Sequence, residues 1–503
     1  MSGGGPEASG ASTGEVTQAP GRDWSSLIGR GVITLVTLAG FGWLLDLPLL
    51  GFDAWPLVAA ARWEGAGDLQ RLLTAELMEG RYPDGHFHRP LVHLSFALDR
   101  ALHGLDASGY HLTNLLTCLV SAQLVFSLAR RIAGVGALAA TLAALAFVLH
   151  PLQAEVLPFP ARRADNLALC LILASLAAAP RAGSKASRGR ALALFALGWA
   201  ALAAKETGAI SALLVPALLA FEAREEPVRA TLRGLPTVLG VTCGVAARQL
   251  VLGGLAGHAD SGLDLARTGA AASEYLWRML YPQPALGWGG WVEPALAVTL
   301  ALLVTAGLVS GRGRAVGLLL AWLGVLLGVS SLAGRVHDWY ALLFVPPLVL
   351  LVATVAEGTH LARDRRRTGP TLLGTSAVGL AGALLTLAAL RSPVFRTYDN
   401  LEDGARLLEQ TLTQVDRLLE ASPEEALVRL NPWVPLLPPH SDGSELRLVP
   451  LAADYSLAAY LEVTAADRTT AVRRFEAGAQ GTSPNTWTLE LVQQPPPSWV
   501  RRR

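Results

Sequence analysis

Three sets of residues in this chain combine types and spacings that do chemistry. The first is His150-Pro151-Leu152-Gln153-Ala154-Glu155, followed by Arg162-Arg163-Ala164-Asp165. It joins two runs of nearly pure Ala, Leu and Val. Ionisable groups at a membrane face are costly to desolvate and are kept where they serve a purpose. Pro151 ends the preceding apolar run, so the chain turns and Glu155 can point back towards it. Arg163 at a span end presents a fixed fork of donors that suits phosphate; the alternative is an Arg163–Asp165 pair that only anchors a helix. The second set is Lys205-Glu206, between two Ala/Leu-rich runs. Its lysine is either a point charge for phosphate or the partner of Glu206. The third is Asp53, in Gly51-Phe52-Asp53-Ala54-Trp55. A carboxylate at the mouth of a helix bundle can take a proton from an acceptor hydroxyl, and one half out of water is the stronger base. The plainer reading is an interfacial residue that opens a loop.

Polar residues also mark other run ends. Arg89-Pro90 and Tyr110-His111-Leu112-Thr113-Asn114 bracket one apolar run, and His111 and Asn114 share a helix face at a spacing of three. Arg335, His337, Asp338, Trp339 and Tyr340 precede another. They line a cavity there, or the aromatics form an interfacial belt.

The elements that position these residues are membrane spans. Hydrophobic residues make up 52% of the chain and charged residues 16%. Apolar runs long enough to cross a ~30 Å hydrocarbon core recur along it. They fall at about 28–50, 111–129, 134–149, 165–179, 191–204, 209–221, 234–252, 291–310, 315–332, 340–356 and 371–391. That predicts an all-α polytopic bundle of about eleven transmembrane helices, with the split between 191–204 and 209–221 the least defined. Residues 1–27 read as a disordered cytoplasmic tail, 28–391 as the transmembrane domain and 51–110 as its first extracytoplasmic loop. Segment 68–80 has the helical spacing of a surface helix. Residues 392–503 read as a small α+β extracytoplasmic domain. It has a helical pattern at Asn400–Leu419 and strand-like alternation at Leu446–Leu451 and Trp487–Val492.

Charge sets the expected orientation. Arg130-Arg131, the segments Arg181–Arg190 and Arg224–Arg233, Arg312/Arg314 and Arg363–Arg367 fall on alternate turns. The positive-inside rule then puts the N-terminus in the cytoplasm and the C-terminal tail outside, as for a bacterial inner-membrane protein. The net charge of +1 carries no signal for nucleic acid, and none is expected as a partner. Cys118, Cys170 and Cys243 lie in apolar runs and read as small packing residues.

The block Phe87-His88-Arg89-Pro90-Leu91-Val92-His93-Leu94-Ser95-Phe96-Ala97-Leu98-Asp99, then Gly104-Leu105 and Gly109-Tyr110-His111-Leu112-Thr113-Asn114, resembles the first-loop-to-second-span region of one family. That family is the transmembrane and tetratricopeptide-repeat-containing O-mannosyltransferases and their bacterial relatives. His150-Pro151-x-x-x-Glu155 with Arg163-Ala164-Asp165, and Lys205-Glu206-Thr207-Gly208, resemble its next two motifs, so the likeness covers roughly residues 50–210. It implies a GT-C membrane glycosyltransferase that takes a sugar from a polyprenyl-phosphate carrier, with inversion. In that frame Asp53 is the general base and Glu155 assists or orients the acceptor. Arg163, Lys205, Arg89 and Arg335 hold the carrier phosphate. Asp165, His111, His150, Glu206 and Tyr340 line the site. The chain departs from the family in having Ala54 after Asp53, in the sequence around Arg335, and in a tail with no visible tandem repeat.

Two other classes stay open on the residues alone. A lipid or solute transporter should show mid-span charges and related halves with broken helices, whereas here the charges gather at span ends. A non-catalytic envelope scaffold with a degenerate site fits the single first-loop acid. No cofactor is indicated. A divalent cation would have to draw on Asp53, Glu155 and Asp165. The expected partners are a polyprenyl-phosphate-linked sugar, an acceptor of unassigned class and membrane lipid. Asp53, Glu155, Arg163 and Asp165 are expected to converge on one cavity.

Overall fold

The computed structural model describes residues 23–389 except 52, 82–85, 182–186, 224–225, 255–264, 279–291 and 333–335. In the tail it describes 405–406, 408–410, 412–413, 415–417, 425–430, 454–464, 469–474 and 488–490. Up to residue 389 the described elements are helices, in the order α1 Trp24–Phe41, α2 Ala54–Ala60, α3 Ala66–Thr74, α4 Pro90–His103, α5 Ala107–Leu128, α6 Ala137–Val148, α7 Arg163–Ala178, α8 Arg188–Ala204, α9 Ser211–Glu222, α10 Pro227–Leu232, α11 Leu235–Leu252, α12 Leu265–Arg278, α13 Val292–Val309, α14 Gly313–Leu332, α15 Asp338–Ala341, α16 Val345–Asp364 and α17 Thr368–Ala389. Short 3-10 turns link several of them.

Each apolar run of the sequence falls in a helix. Among the described residues, seven stretches are long and apolar enough to cross a membrane: Trp24–Asp46, Ala107–Ala133, Ala137–Glu155, Leu235–Leu252, Gly313–Ser331, Asp338–Asp364 and Thr368–Thr386. The expected count of eleven is therefore not reached on length and composition. Helices α7, α8 and α9 have 16, 17 and 12 residues. A crossing needs about 20. Among the described residues, α13 contributes the shorter apolar stretch Ala297–Val309. Lys205–Ile210 separates α8 from α9, so the split read there holds.

Local chemistry explains the helix ends. Asp23 caps α1, its carboxylate accepting from the Ser26 N–H at 3.1 Å, and Asp106 caps α5 through Ser108 at 3.0 Å. Arg131 donates to the last carbonyls of α7, at 2.9 Å to Leu176 and 2.8 Å to Ala179. α5 packs against α1, α6 and α7; α8 lies along α7 and α11; α16 runs against α6, α14 and α17. The α8–α11 contact depends on small residues, since a Cβ at Gly198 would stand 2.6 Å from the Thr237 carbonyl oxygen. The arginine-bearing turns after α5, α7 and α16 and before α14 gather at one end of the bundle. The turns at 150–162 and 205–210 therefore lie at the other, as the alternation of charges requires.

The first loop folds over that second end. α3 stops at Ala75, where the chain becomes extended, so the helical spacing of 68–80 does not continue. Met78, Glu79 and Gly80 follow with φ of 57°, 54° and 75°. Two non-glycine residues in the left-handed region cost about 1–3 kcal/mol each, which surrounding contacts must offset. His93 of α4 supplies one: its Nε2 accepts from the Met78 N–H at 3.2 Å while Nδ1 donates to the Leu72 carbonyl at 3.4 Å. Arg71 and Arg81 both pair with Glu79.

In the tail, the described residues between 405 and 417 are helical. A helix α18, Asp454–Thr464, lies on α2. Tyr460 meets Trp55 edge to face at 4.8 Å, and Glu462 accepts from Arg62 at 3.3 Å and Arg81 at 2.9 Å. Three short strands, β1 Glu425–Leu430, β2 Thr469–Arg474 and β3 Thr488–Glu490, pair in parallel in the order β2-β1-β3. Glu425 stands opposite Thr469, and Leu427 opposite Thr488. The strand expected at 446–451 lies outside the described residues, and β3 falls within the one expected at 487–492.

His93 needs a neutral ring, with one nitrogen accepting and the other donating. Burial lowers its pKa to about 4. The unfolded ring binds a proton at about 6.5, so the bonds to Leu72 and Met78 stabilise the loop fully above that value and are lost as pH falls towards 4. Amide exchange at Leu77–Gly80, corrected for intrinsic rate, should be about tenfold faster at pH 5.5 than at pH 7. In His93→Gln it should lose that pH dependence. Hydrogen-exchange mass spectrometry reads both.

Candidate functional site

The first turn of α7 organises the site. Arg163 and Asp165 are two residues apart, so at ~100° per residue their side chains leave the helix on nearly opposite sides. Arg163 turns towards α4 and α5. It is fully buried, and Nη2 meets the Asp99 carboxylate at 2.6 Å. Nε donates to the Asn114 amide oxygen at 3.1 Å, Nη1 to the Ser95 hydroxyl at 3.2 Å and Nη2 to the Tyr110 carbonyl at 2.9 Å. The Phe96 ring covers its other side at 4.2 Å. Thr113 completes Asp99, donating at 2.6 Å. The residue expected to hold a phosphate thus ties three helices together with most of its donors committed.

Asp165 turns the other way, to Lys205. Both are buried and form an ion pair. The lysine ammonium also sits 3.8 Å from the centre of the Tyr340 ring. Lys205 can reach this point because α8 ends in a tight turn. A Cβ at Gly208 would collide with the Ala201 carbonyl, so that position admits only glycine without a shift.

Glu206 points to a pair of arginines. Arg89, the residue before α4, donates to it at 2.8 Å, and Arg248 near the end of α11 donates at 2.7 Å. Arg248 also binds the His88 carbonyl at 3.2 Å. Burial alone would raise the Glu206 carboxyl, but Arg89 and Arg248 outweigh it and hold it down at about 2. Burial lowers the Lys205 ammonium to about 8, against the pull of Asp165. Among the described residues the cluster brings the cations Arg89, Lys205 and Arg248 together with the carboxylates Asp165 and Glu206.

Beside it, Glu155 pairs with Arg162 at 3.0 Å rather than with Arg163. Arg162 is sandwiched between Phe159 at 4.3 Å and Trp339 at 4.0 Å. Trp339 in turn stacks on His337 at 4.2 Å and meets Tyr340 at 5.6 Å. One line of contacts therefore runs from Glu155 through Arg162, Trp339 and Tyr340 to Lys205. The buried Thr207 hydroxyl and Asn166 amide oxygen have no hydrogen-bond partner among the described residues.

The remaining expectations divide. His150 is buried, and its Nδ1 accepts from the Leu152 N–H at 3.3 Å, so it caps the turn at Pro151–Glu155. His111, also buried, donates to the Pro48 carbonyl at 3.2 Å and pins α5 to the end of the first span. Asp53 precedes α2 and is half-buried; α2 packs against α4 and the 3-10 turn Pro160–Arg162. Arg335 lies outside the described residues. Of the four residues expected to converge, three go to separate partners: Arg163 to Asp99, Asp165 to Lys205 and Glu155 to Arg162. Of the three carboxylates considered for a cation, Asp165 and Glu155 thus have basic partners. No group of three or more His, Cys, Asp or Glu side chains poised for a metal occurs among the described residues.

Arg248 was not singled out from the sequence, and Arg162 and Asp99 stood there only within longer motifs, with no role of their own. Arg248 carried a legible signal, as an ionised residue inside an otherwise apolar span. Asp99 carried none, because its partner lies 64 residues on in sequence. Breaking a buried pair by removing one member leaves an uncompensated charge and costs about 3–5 kcal/mol. Asp99→Ala should therefore lower Tm strongly in detergent, whereas Glu155→Gln, whose pair with Arg162 is partly exposed, should shift it little. Differential scanning fluorimetry separates the two.

No family model matches the chain, and no curated protein matches it. Among solved structures it is similar to the crystal structure of ArnT from Cupriavidus metallidurans in the apo state. That likeness covers 89% of this chain and 89% of that one, at 15% identity and a TM-score of 0.48. It is similar also to the same protein bound to undecaprenyl phosphate, over 88% of this chain and 89% of that one, again at 15% identity and a TM-score of 0.48.

Proposed function

We propose that the chain is an integral-membrane glycosyltransferase of the GT-C type, moving a sugar from a polyprenyl-phosphate carrier to an acceptor hydroxyl with inversion. The observation that carries this reading is the cation-rich cluster at one end of the bundle. Arg89, Lys205 and Arg248 arrive from three separate segments and meet around Asp165 and Glu206. Cations gathered among buried groups favour an anion with a diffuse charge, and a phosphodiester supplies one. Glu206 holds the two guanidiniums side by side. Arg163, bound to Asp99, braces the scaffold in this reading.

In the reaction the acceptor hydroxyl attacks the anomeric carbon while the bond from that carbon to the phosphate oxygen breaks. Asp53 takes the hydroxyl proton, and the carrier leaves as polyprenyl phosphate. The second negative charge on the leaving phosphate is met by Lys205, Arg89 and Arg248, where low dielectric makes each contact worth more than in water. Asp53 suits the role because it is half-buried at the head of α2, a helix that packs against α4, which follows Arg89, and against the turn that carries Arg162. Glu155, with Arg162, orients the acceptor. We place residues 1–27 in the cytoplasm, 28–391 in an inner membrane with about eleven crossings, and 392–503 outside as a small α+β domain over the first loop.

Purified protein in nanodiscs should release polyprenyl phosphate from one member of a panel of polyprenyl-phosphate sugars, giving product of inverted anomeric configuration. Asp53→Asn should lower kcat by about 10²–10⁴ with donor KM within a few-fold. Arg248→Gln should instead raise donor KM. Lys205 is charged below about 8 and neutral above it, so donor KM should climb about tenfold between pH 7 and pH 9 in the wild type and stay flat in Lys205→Arg. Transport of the intact lipid-linked sugar across the bilayer without phosphate release would replace this reading with a flippase.

A further inference from the structure

The end of the bundle opposite this cluster holds a second basic centre. A cavity of about 860 Å³ is lined by Arg130, Arg131, Arg181, Arg312, Arg314 and Arg365, with Glu222 as the one acid among its lining residues. These come from turns far apart in sequence. A bias of arginines towards one membrane face requires only that each turn carry charge. It does not require the turns to pool that charge in one concavity. The chain as a whole is nearly neutral, at +1, so the excess is local.

The arginines are not equivalent. Arg131 is braced, with Nε and Nη2 on Glu222 at 2.6 and 2.9 Å and further bonds to the end of α7. Arg314 donates to the Phe221 carbonyl at 2.7 Å. These two hold helix ends. Arg312 has only a long contact to Glu357 at 3.7 Å. Arg181 and Arg365 have no acidic partner among the described residues. Three guanidiniums sharing a concave wall repel one another unless an anion lies between them. Their planar forks match phosphate oxygens. Phe221 and Leu361 add an apolar edge.

We infer that this cavity binds a phosphate-bearing anion, either the headgroup of an anionic phospholipid or a soluble phosphate compound, through Arg181, Arg312 and Arg365. The site is independent of the proposed donor site. The 12-residue helix α9 separates the Lys205–Ile210 turn from Glu222 by roughly 18 Å.

The test uses full-length protein in phosphatidylcholine nanodiscs, with or without phosphatidylglycerol. Native mass spectrometry reads retained phosphatidylglycerol, and the rise in Tm with sodium pyrophosphate at fixed ionic strength reads a soluble ligand. The wild type should respond to at least one probe. Retention of phosphatidylglycerol alone identifies a lipid, and a pyrophosphate response identifies a soluble phosphate. The double variant Arg312→Gln/Arg365→Gln should lose about tenfold in the affected response. Arg188→Gln/Arg229→Gln, at the same end but outside the cavity lining, should match the wild type. The inference is overturned if neither probe binds, if the cavity variant behaves as wild type, or if the control variant loses as much.

Discussion

Arg163 and Asp99 meet at 2.6 Å with both side chains out of reach of water. Isolated, either charge would be prohibitively expensive in that environment; together they survive because Asn114, Ser95, Tyr110 and Thr113 take up other donors and lone pairs. The pair fixes the first turn of α7 against α4 and α5. Once that turn is fixed, Asp165 has one direction available, away from α5 and towards the end of α8. Lys205 follows Asp165, Glu206 follows Lys205 in sequence, and the two arginines gather on Glu206. The polar architecture at this end descends from one apolar-shielded contact.

Much of this architecture was legible in the sequence. Apolar run length gave the long helices of the bundle, since a run that must be satisfied in lipid has no other backbone option, while α2, α4, α10 and α12 lie outside those runs. Alternating arginines predicted that the basic turns share one end of the bundle, and those turns do converge. Lys205, Glu206 and Asp165 stood out as charges at the ends of apolar runs; Asp165 pairs with Lys205, and Glu206 with Arg89 and Arg248. The sequence misled at Arg163: adjacency to Asp165 suggested a shared site, whereas helical geometry sends the two apart. It gave no partner for Asp99, whose contact with Arg163 depends on tertiary packing. Crossing number was also beyond it, because helices of 12 to 17 residues are long enough to pack yet short for a bilayer.

The two ends of the bundle handle positive charge differently. At the Lys205 end cations are interleaved with carboxylates and aromatic faces in a rigid frame. At the other end arginines share a cavity with a single acid, and two of them are spent on helix ends. The first arrangement favours orientation and the second electrostatic capture, a contrast that follows from how many acids each end contributes.

The clamp between Glu462 and the first loop spans 400 residues to Arg62 and 381 to Arg81. A ribosome feeding this chain into a membrane releases the loop long before its anchor. Every intervening helix must be inserted before Glu462 and Tyr460 can close over α2. Closure over the loop that holds Asp53 therefore waits on the helices between them, so a chain interrupted in that interval leaves the residue on an unanchored segment.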